Sequence, residues 1–157
     1  MRHASFAACV TLLLIGTGVS GCKSATETDV SRSIYCEVQA EAPQRDNNDA
    51  PKHVLAATRF RCEAPGASTL DLTMRLQRQV GAGPWTDVAG LSFSAKGSQT
   101  VPGKGENFIR RQISTACAPG TYRTRVTGSS KARGSSKSYD ITGPRSFDPC
   151  HPGVFAK

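Results

Sequence analysis

The chain has 157 residues, with 20 Lys and Arg against 12 Asp and Glu, six Cys and 38% hydrophobic residues. One hydrophobic core commonly serves about 100–200 residues, so this length favours a single domain. After residue 20 no apolar run approaches the roughly 18–20 residues that span a bilayer, which excludes a polytopic membrane protein. The 15 Gly and nine Pro are scattered without a period, which excludes collagen and long coiled coils.

The amino-terminal residues predict export. Arg2 provides a short basic start, and residues 4–19 form an apolar stretch typical of the core of a signal peptide. The alternative is a short buried helix of the mature protein. It is disfavoured because the helix would be apolar on all sides, next to a polar run that offers nothing to pack against. We therefore expect residues 1–21 to be a signal peptide that is removed.

The end of this segment, Val19-Ser20-Gly21-Cys22, has an aliphatic residue and two small residues followed by Cys. It resembles the lipobox of bacterial lipoproteins. The resemblance implies that the Cys22 thiol carries diacylglycerol and that Cys22 is the first mature residue. Removal of Cys9 leaves five Cys, and lipidation of Cys22 leaves four, an even set for an oxidising compartment. The alternative is ordinary signal-peptidase cleavage near Ser20, which would give a freely secreted protein.

The next segment predicts a flexible tether. Residues 22–33 are polar and lack large apolar groups. Two or more acyl chains hold a protein stably on a membrane, whereas one chain gives only marginal binding. We therefore expect the globular part, residues 34–150, to work outside the cytoplasm, attached to the cell membrane through its amino-terminal lipid. Residues 151–157 are expected to form a carboxy-terminal tail.

Alternation of apolar and polar residues, which is typical of half-buried strands, recurs along the globular part. The strand candidates are 34–40, 54–62, 70–76, 85–89, 107–115, 121–127 and 137–142. Turn signals rich in Gly, Pro or Ser lie at 81–84, 102–105, 118–120 and 128–130. An amphipathic helix over 70–80 is an alternative, but the strict alternation of 70–76 favours a strand. About seven short strands predict an all-β fold, an antiparallel sandwich.

The predicted core is thin. Leu, Ile, Val and Phe make up 22 of the 136 residues from Cys22 onward, below the roughly one-fifth at which a charged chain becomes a candidate for disorder. A small core stapled by disulfides accounts for this composition and for the alternation. Four Cys allow three pairings. We favour Cys36–Cys62 and Cys117–Cys150, because each bond would tie a terminal strand to a nearby one.

Three features follow one another from Leu70 onward. They are the alternating Leu70-x-Leu72-x-Met74-x-Leu76, then Pro84-Trp85-Thr86-Asp87-Val88-Ala89, then Pro119-Gly120-Thr121-Tyr122-Arg123. Their order resembles bacterial extracytoplasmic immunoglobulin-like or fibronectin-type-III-like domains. In these domains a Trp often begins the strand after a hairpin, and a Pro-Gly-x-Tyr segment turns into a core strand. The resemblance implies an immunoglobulin-like sandwich that serves as a binding or spacer module.

The chain departs from the antibody pattern in the placement of its Cys. Cys117 lies five residues before Tyr122, whereas the second core Cys of an antibody domain lies two residues after the corner Tyr. This departure disfavours an inter-sheet Cys62–Cys117 bond. The alternative interpretation is that Trp85 and Tyr122 are ordinary core aromatics of some other sheet protein.

Positive charge is concentrated in the second part of the chain. Residues 22–63 carry a net charge of −1, and residues 64–157 carry +8. The candidate anion-binding patch is formed by Arg110, Arg111, Arg123 and Arg125, expected on neighbouring strands. Such a surface would attract anionic lipid headgroups or cell-wall polymer; the alternative is a solvated face that keeps the protein soluble. Nucleic acid is not expected, because few aromatic residues are interleaved with the basic ones.

Catalytic motifs are missing from the sequence. It has neither Gly-x-Ser-x-Gly nor His-Glu-x-x-His, and it suggests no catalytic pair and no cofactor. Metal binding by Cys with His53 and His151 is disfavoured, since the close ligand spacing of zinc sites is missing. We therefore predict a non-enzymatic binding or structural module at the cell envelope. The alternative is a freely secreted enzyme or enzyme inhibitor that acts through its loops.

Overall fold

The computed structural model of the protein describes residues 34–46 and 53–150. Contacts divide the chain into two units, and all of these residues belong to the second, Ser31–Lys157. Three predicted segments lie outside the described residues: the signal peptide 1–21, the tether 22–33 and the tail 151–157. The predicted lipid attachment site Cys22, and His151, which was considered as a metal ligand and disfavoured, lie outside them as well. Among the residues described, no helix has the length and apolar character needed to cross a bilayer.

The described chain is built from nine strands, joined by turns, loops and one short 3-10 turn at Gly97–Thr100. The strands are β1 (Cys36–Ala40), β2 (Gln44–Arg45), β3 (His53–Cys62), β4 (Thr69–Gln79), β5 (Thr86–Ala95), β6 (Ile109–Ala116), β7 (Thr121–Ala132), β8 (Ser135–Thr142) and β9 (Ser146–Phe147). All seven strands predicted from alternation are present. The two-residue strands β2 and β9 were not predicted, because so short a segment shows no period.

The strands form two antiparallel sheets. In sheet 1, β3 lies between β6 on one side and both β1 and β2 on the other. In sheet 2 the order is β5-β4-β7-β8, and β9 also pairs with β7. Pairing between strands distant in sequence, β3 with β6 and β4 with β7, interlocks the two halves of the fold. The predicted fold class is confirmed as an all-β, antiparallel sandwich of two sheets.

Strand β4 shows how alternation builds the core. Its even-numbered residues from Leu70 to Leu76 are buried, while the polar residues between them lie on the outer face of sheet 2. β4 pairs with β5 on one side and with β7 on the other, so its backbone hydrogen-bonding groups are used within the sheet. The helix considered for residues 70–80 is therefore wrong. Central position and a two-residue period outweigh the helix propensity of Leu, Met, Gln and Arg.

The core lies between the sheets in two clusters of buried side chains. The larger cluster includes Phe60, whose ring stacks on that of Phe93 with centroids 5.5 Å apart. The smaller cluster consists of Val54, Ala56, Leu76 and Tyr122, with partly buried residues packed against it. Large apolar side chains are few, as the composition predicts, and a disulfide adjoins each cluster.

Both predicted disulfides are confirmed. Cys36 and Cys62 lie directly opposite each other on β1 and β3. Cys117, just after β6, is bonded to Cys150, just after β9. Closing loops of 26 and 33 residues stabilises the fold by roughly 3–4 kcal/mol each, through the unfolded state. Disulfides persist in oxidising compartments, so the folded chain belongs outside the cytoplasm.

The turn predicted at residues 128–130 is wrong. β7 continues through these residues to Ala132, and the hairpin to β8 turns at Arg133 and Gly134. Gly128 is needed inside the strand, because a Cβ there would lie 2.0 Å from the Asp71 carbonyl oxygen on β4. Its φ of 152° is also one that side chains rarely adopt. The glycine permits a close backbone approach, which the sequence pattern does not distinguish from a turn.

Candidate functional site

The four arginines of the candidate patch do not form one surface. Arg110 and Arg111 lie on β6 in sheet 1, and Arg123 and Arg125 lie on β7 in sheet 2. β6 pairs with β3, while β7 pairs with β4, β8 and β9. The expectation that these strands are neighbours is wrong, because the chain crosses from one sheet to the other between β6 and β7.

The two arginines of β6 also point to opposite sides of their strand. Arg110 forms an ion pair with Glu41 at 3.0 Å on the outer face of sheet 1. Arg111 lies opposite the buried Thr58, and its guanidinium carbon is 6.0 Å from the centroid of the Phe93 ring. Arg110 is paired with Glu41, which it shares with Arg59, and Arg111 lies at the margin of the core, so neither contributes to a common binding surface.

Arg125 is paired with a carboxylate as well. Its guanidinium group makes two hydrogen bonds with the carboxylate of Asp140, at 2.8 and 3.0 Å. These bonds raise the pKa of Arg125 and lower that of Asp140, as expected for a bidentate pair. Of the four candidates, Arg111 and Arg123 form no ion pair with a carboxylate within the described residues, and these two lie in different sheets.

Arg123 belongs to a different group of side chains, which we call the Trp85–arginine cluster: Trp85, Arg123 and Arg145. The guanidinium carbons of Arg123 and Arg145 lie 4.1 and 5.5 Å from the centroid of the Trp85 ring. Trp85 precedes β5, Arg123 lies on β7, and Arg145 lies between β8 and β9. The indole ring thus joins side chains from both sides of β4. Both distances are within the range of cation–π interactions.

A hydrogen-bond relay holds Arg123 in place. Arg123 Nε donates to Gln77 Oε1 at 2.8 Å, and Gln77 Nε2 donates to Asp87 Oδ1 at 2.8 Å. The other oxygen of Asp87 accepts from Arg75. The bonds from Gln77 and Arg75 lower the pKa of Asp87. Because Arg75 already pairs with the Asp87 carboxylate, that carboxylate is not a direct counterion for Arg123.

The positive charge of the cluster is therefore uncompensated. Burial lowers the pKa of Arg123, and the nearby charges of Arg145 and Arg125 lower it further. Arg145 likewise has no ion pair with a carboxylate in the described part of the chain. The side chain nonetheless stays protonated at neutral pH, because arginine loses its proton only far above that range. A bound anion would relieve the repulsion between the two guanidinium groups.

Exposed apolar side chains lie at the same end of sheet 2. Phe147 is 72% exposed and lies opposite Thr121 in the β7–β9 pair, while Val80, just after β4, is 62% exposed. Next to them is a cavity of about 320 Å³, lined by Gly81, Gly120, Thr121, Phe147 and Asp148. This end of the sandwich thus combines uncompensated guanidinium groups with exposed apolar surface, which is typical of binding sites rather than of solvated faces.

Of the three cluster residues, the sequence analysis identified Arg123 as a site residue but missed Trp85 and Arg145. Trp85 was considered as a core aromatic, whereas it is half-buried on the outer side of sheet 2, and only Tyr122 of the two is a core residue. A usable signal was present. Trp85 lies two residues before Asp87, and side chains two apart on a strand share a face, so a polar neighbour implied an outward Trp. Arg145 follows the last main strand, and no periodicity marks it.

Comparisons with known proteins give no relative: no family model, curated protein or solved structure matches the chain. Within residues 34–46 and 53–150, no group of three or more His, Cys, Asp or Glu side chains could hold a metal ion. His53 lies at the start of β3. The chemistry available at the Trp85–arginine cluster is that of binding, because guanidinium, amide and indole groups are neither nucleophiles nor general bases at neutral pH.

Proposed function

We propose that this protein is an exported, non-enzymatic binding module of the cell envelope, anchored in the membrane by lipid on Cys22. Its ligand is an anionic cell-wall polymer, bound at the Trp85–arginine cluster. The resemblance of residues 19–22 to a lipobox supports the anchor. The two disulfides agree with an extracytoplasmic location.

The observation that carries this proposal is the pair of guanidinium groups on one indole ring without a carboxylate partner. Arginine forks match phosphate and carboxylate groups in bidentate geometry. Arg123 uses Nε on Gln77, which leaves its terminal nitrogens for a ligand. The indole ring and Phe147 offer apolar surface beside these donors. A polymer with repeating acidic groups can bridge both arginines while its backbone lies on the apolar surface.

The position of the cluster agrees with a membrane-anchored binder. The chain leads into the sandwich at Ile34, beside the start of β8 and the end of β7. The cluster lies at the opposite end, near the start of β7 and the end of β8. A chain anchored at Cys22 would therefore be attached at the end of the sandwich remote from the Trp85–arginine cluster, which leaves the cluster accessible to material in the envelope.

Fluorescence provides a direct test, since Trp85 is the single Trp of the chain. The purified protein would be titrated with poly(glycerol phosphate) and, separately, with neutral dextran. We expect the anionic polymer to change the Trp85 emission in a saturable way and added salt to weaken the effect. Dextran should leave the emission unchanged. A response to both polymers, or to neither, would contradict the proposed ligand.

Matched variants separate the site from the overall charge. Arg145→Gln and Arg110→Gln each remove one positive charge, but Arg110 lies on the other sheet and pairs with Glu41. Arg145→Gln should weaken polymer binding about five- to tenfold, whereas Arg110→Gln should change it less than twofold. Equal losses in the two variants would show that only net charge matters. Mass spectrometry tests the anchor separately: an unmodified first residue, or a start other than Cys22, would refute it.

A further inference from the structure

The end of the sandwich where the chain leads in has its own exposed surface. Tyr35 is 56% exposed and lies next to Ile34, which packs partly against the core. A cavity of about 240 Å³ lies between Tyr35 and the start of β8, and another of about 360 Å³ lies between Ile34 and Arg133. An exposed Tyr, a hairpin tip and two cavities thus adjoin one point of the chain. The Trp85–arginine cluster uses none of these residues.

Arg133 occupies an unfavourable backbone position at this end. It is the first residue of the two-residue hairpin between β7 and β8, with φ of 44°, and Gly134 follows with φ of 80°. Positive φ at both residues is the type I′ pattern, for which Asn-Gly or Asp-Gly is strongly preferred. An arginine there costs conformational energy that Asn would not. Strained residues of this kind cluster at functional sites, which points to a use for the charge at the tip.

Two further cations flank the tip. Lys131 is exposed, two residues before Arg133. Lys137 Nζ lies 4.5 Å from the centroid of the Tyr35 ring and 5.2 Å from that of Tyr139, and it donates to the Cys36 carbonyl oxygen at 3.4 Å. In the part of the chain that the structure describes, none of the three cations forms an ion pair with a carboxylate.

One carboxylate does adjoin this surface. Glu63 lines the cavity between Ile34 and Arg133, so it reduces the local positive charge without removing it. Arg61, which also lines a cavity beside Tyr35, is paired with Glu37 and adds no net charge. Among the described residues the three cations therefore outnumber Glu63, and the surface is basic, with the ring of Tyr35 exposed on it. A basic surface with an exposed Tyr fits the interfacial region of an anionic bilayer, where lysine and arginine meet headgroups and Tyr rings lie at headgroup level.

We propose that the surface formed by Tyr35, Lys131, Arg133 and Lys137 docks on the anionic headgroups of the membrane. This inference rests on the anchor in the proposed function. Twelve residues from Cys22 to position 33 separate the lipid from Ile34, and a flexible chain of that length has an average span of about 20 Å. The anchor would therefore keep this end near the bilayer, where docking orients the sandwich and directs the Trp85–arginine cluster outward.

Vesicle partitioning of the chain without its lipid tests the docking surface. The protein would be purified as the Cys22→Ser variant and mixed with phosphatidylcholine vesicles, with or without phosphatidylglycerol. We expect binding to the anionic vesicles and little to the zwitterionic ones. Arg133→Asn should lower the partition coefficient roughly fivefold, since one basic residue near such a surface contributes about 1 kcal/mol. Arg133→Asp should lower it further.

Both replacements suit positive φ, so folding should be retained. Arg110→Gln, which removes one charge from the outer face of sheet 1, is the matched control and should bind as the parent does. Equal binding by Arg133→Asn and Arg110→Gln, or equal binding to both kinds of vesicle, would overturn the inference. Because the assay uses no lipidated protein, its failure is distinct from that of the anchor, which mass spectrometry of the mature amino terminus tests.

Discussion

Tyr122 Oη donates a 2.6 Å hydrogen bond to the carbonyl oxygen of Ala118 and accepts one of 3.1 Å from its N–H. Tyr122 lies on the inner face of β7 and is 1% exposed, while Ala118 lies in the connection between β6 and β7. One side chain thus fixes the segment that crosses from sheet 1 to sheet 2. A Tyr near the start of a strand that bonds to the backbone a few residues upstream is the arrangement known as a tyrosine corner.

Tyr122→Phe should destabilise the fold by about 1–2 kcal/mol. The variant removes both hydrogen bonds and leaves the backbone groups of Ala118 without their partner, while the ring still fills the core. Urea denaturation of parent and variant measures the change. Tyr35→Phe is the control, because that side chain is 56% exposed and its replacement should have little effect. Equal stability of the two variants would mean that the Tyr122 hydroxyl does not fix the corner.

Gly128→Ala should destabilise the fold by roughly 3 kcal/mol or more. The added Cβ would lie 2.0 Å from the Asp71 carbonyl oxygen and 2.9 Å from Leu72 Cα, so either β4 or β7 must move in the middle of sheet 2. Urea denaturation is again the measurement. Gly81→Ala is an informative control: Gly81 also has positive φ, 55°, but no atom would lie within 4 Å of its Cβ. The loss of stability in Gly81→Ala therefore measures the cost of positive φ alone, without a steric clash. A Gly128 variant no less stable than the Gly81 variant would contradict the close approach.

The fold could be predicted because its determinants are local and periodic. Alternation in 70–76 and 121–127 identified the central strands. The pairing of Cys36 with Cys62 was predicted because this bond connects a terminal strand to a nearby one. Gly128 shows the limit of such reasoning. Glycine is used both in turns and where backbones approach closely, and only the pairing of β7 with β4 distinguishes the two uses.

The site could not be predicted because it depends on which strands are neighbours. Arg110 and Arg123 are close in sequence but lie in different sheets, whereas Trp85 and Arg145 are 60 positions apart in the numbering and meet on one face. Charge counts along the sequence therefore grouped four arginines into one surface, although they lie in two different sheets. Charge counts also could not show that Glu41 and Asp140 form ion pairs with two of its members.

The two disulfides differ more in burial than in loop length, so burial should determine which of them contributes more to the stability of the fold. Loops of 26 and 33 residues differ by only about 0.2 kcal/mol in closure entropy. Cys36 and Cys62 are almost fully buried, whereas Cys117 and Cys150 are half-buried.

Replacing Cys36 and Cys62 with Ser would therefore bury two hydroxyl groups in addition to removing the crosslink. This double variant should lose more free energy of unfolding than the same replacement at Cys117 and Cys150. Each double variant should lose at least about 3 kcal/mol, as measured by urea denaturation without reductant. The opposite order of stability would show that the hydroxyl groups find partners in the core.

Acid should weaken the relay that holds the Trp85–arginine cluster. Hydrogen bonds from Gln77 and Arg75 lower the pKa of Asp87 below its value in the unfolded chain, which is about 3.9. The ionised carboxylate therefore stabilises the fold above about pH 4, and this contribution is lost as the pH falls through the lowered pKa. Asp87→Asn should consequently be less stable than the parent at neutral pH, and the difference should shrink in acid.

Urea midpoints measured from neutral pH down to about pH 2.5, which spans the titration of aspartate, would show this convergence. Asp71→Asn is the control on the neighbouring strand β4 of the same sheet, since Asp71 is exposed and forms no ion pair within the described residues. Its stability relative to the parent should depend less on pH. Trp85 emission, followed in the same samples, should change with the Asp87 titration, because Arg123 links Gln77 to the indole ring. A difference between parent and Asp87→Asn that stays constant with pH would mean that the Asp87 charge does not support the cluster.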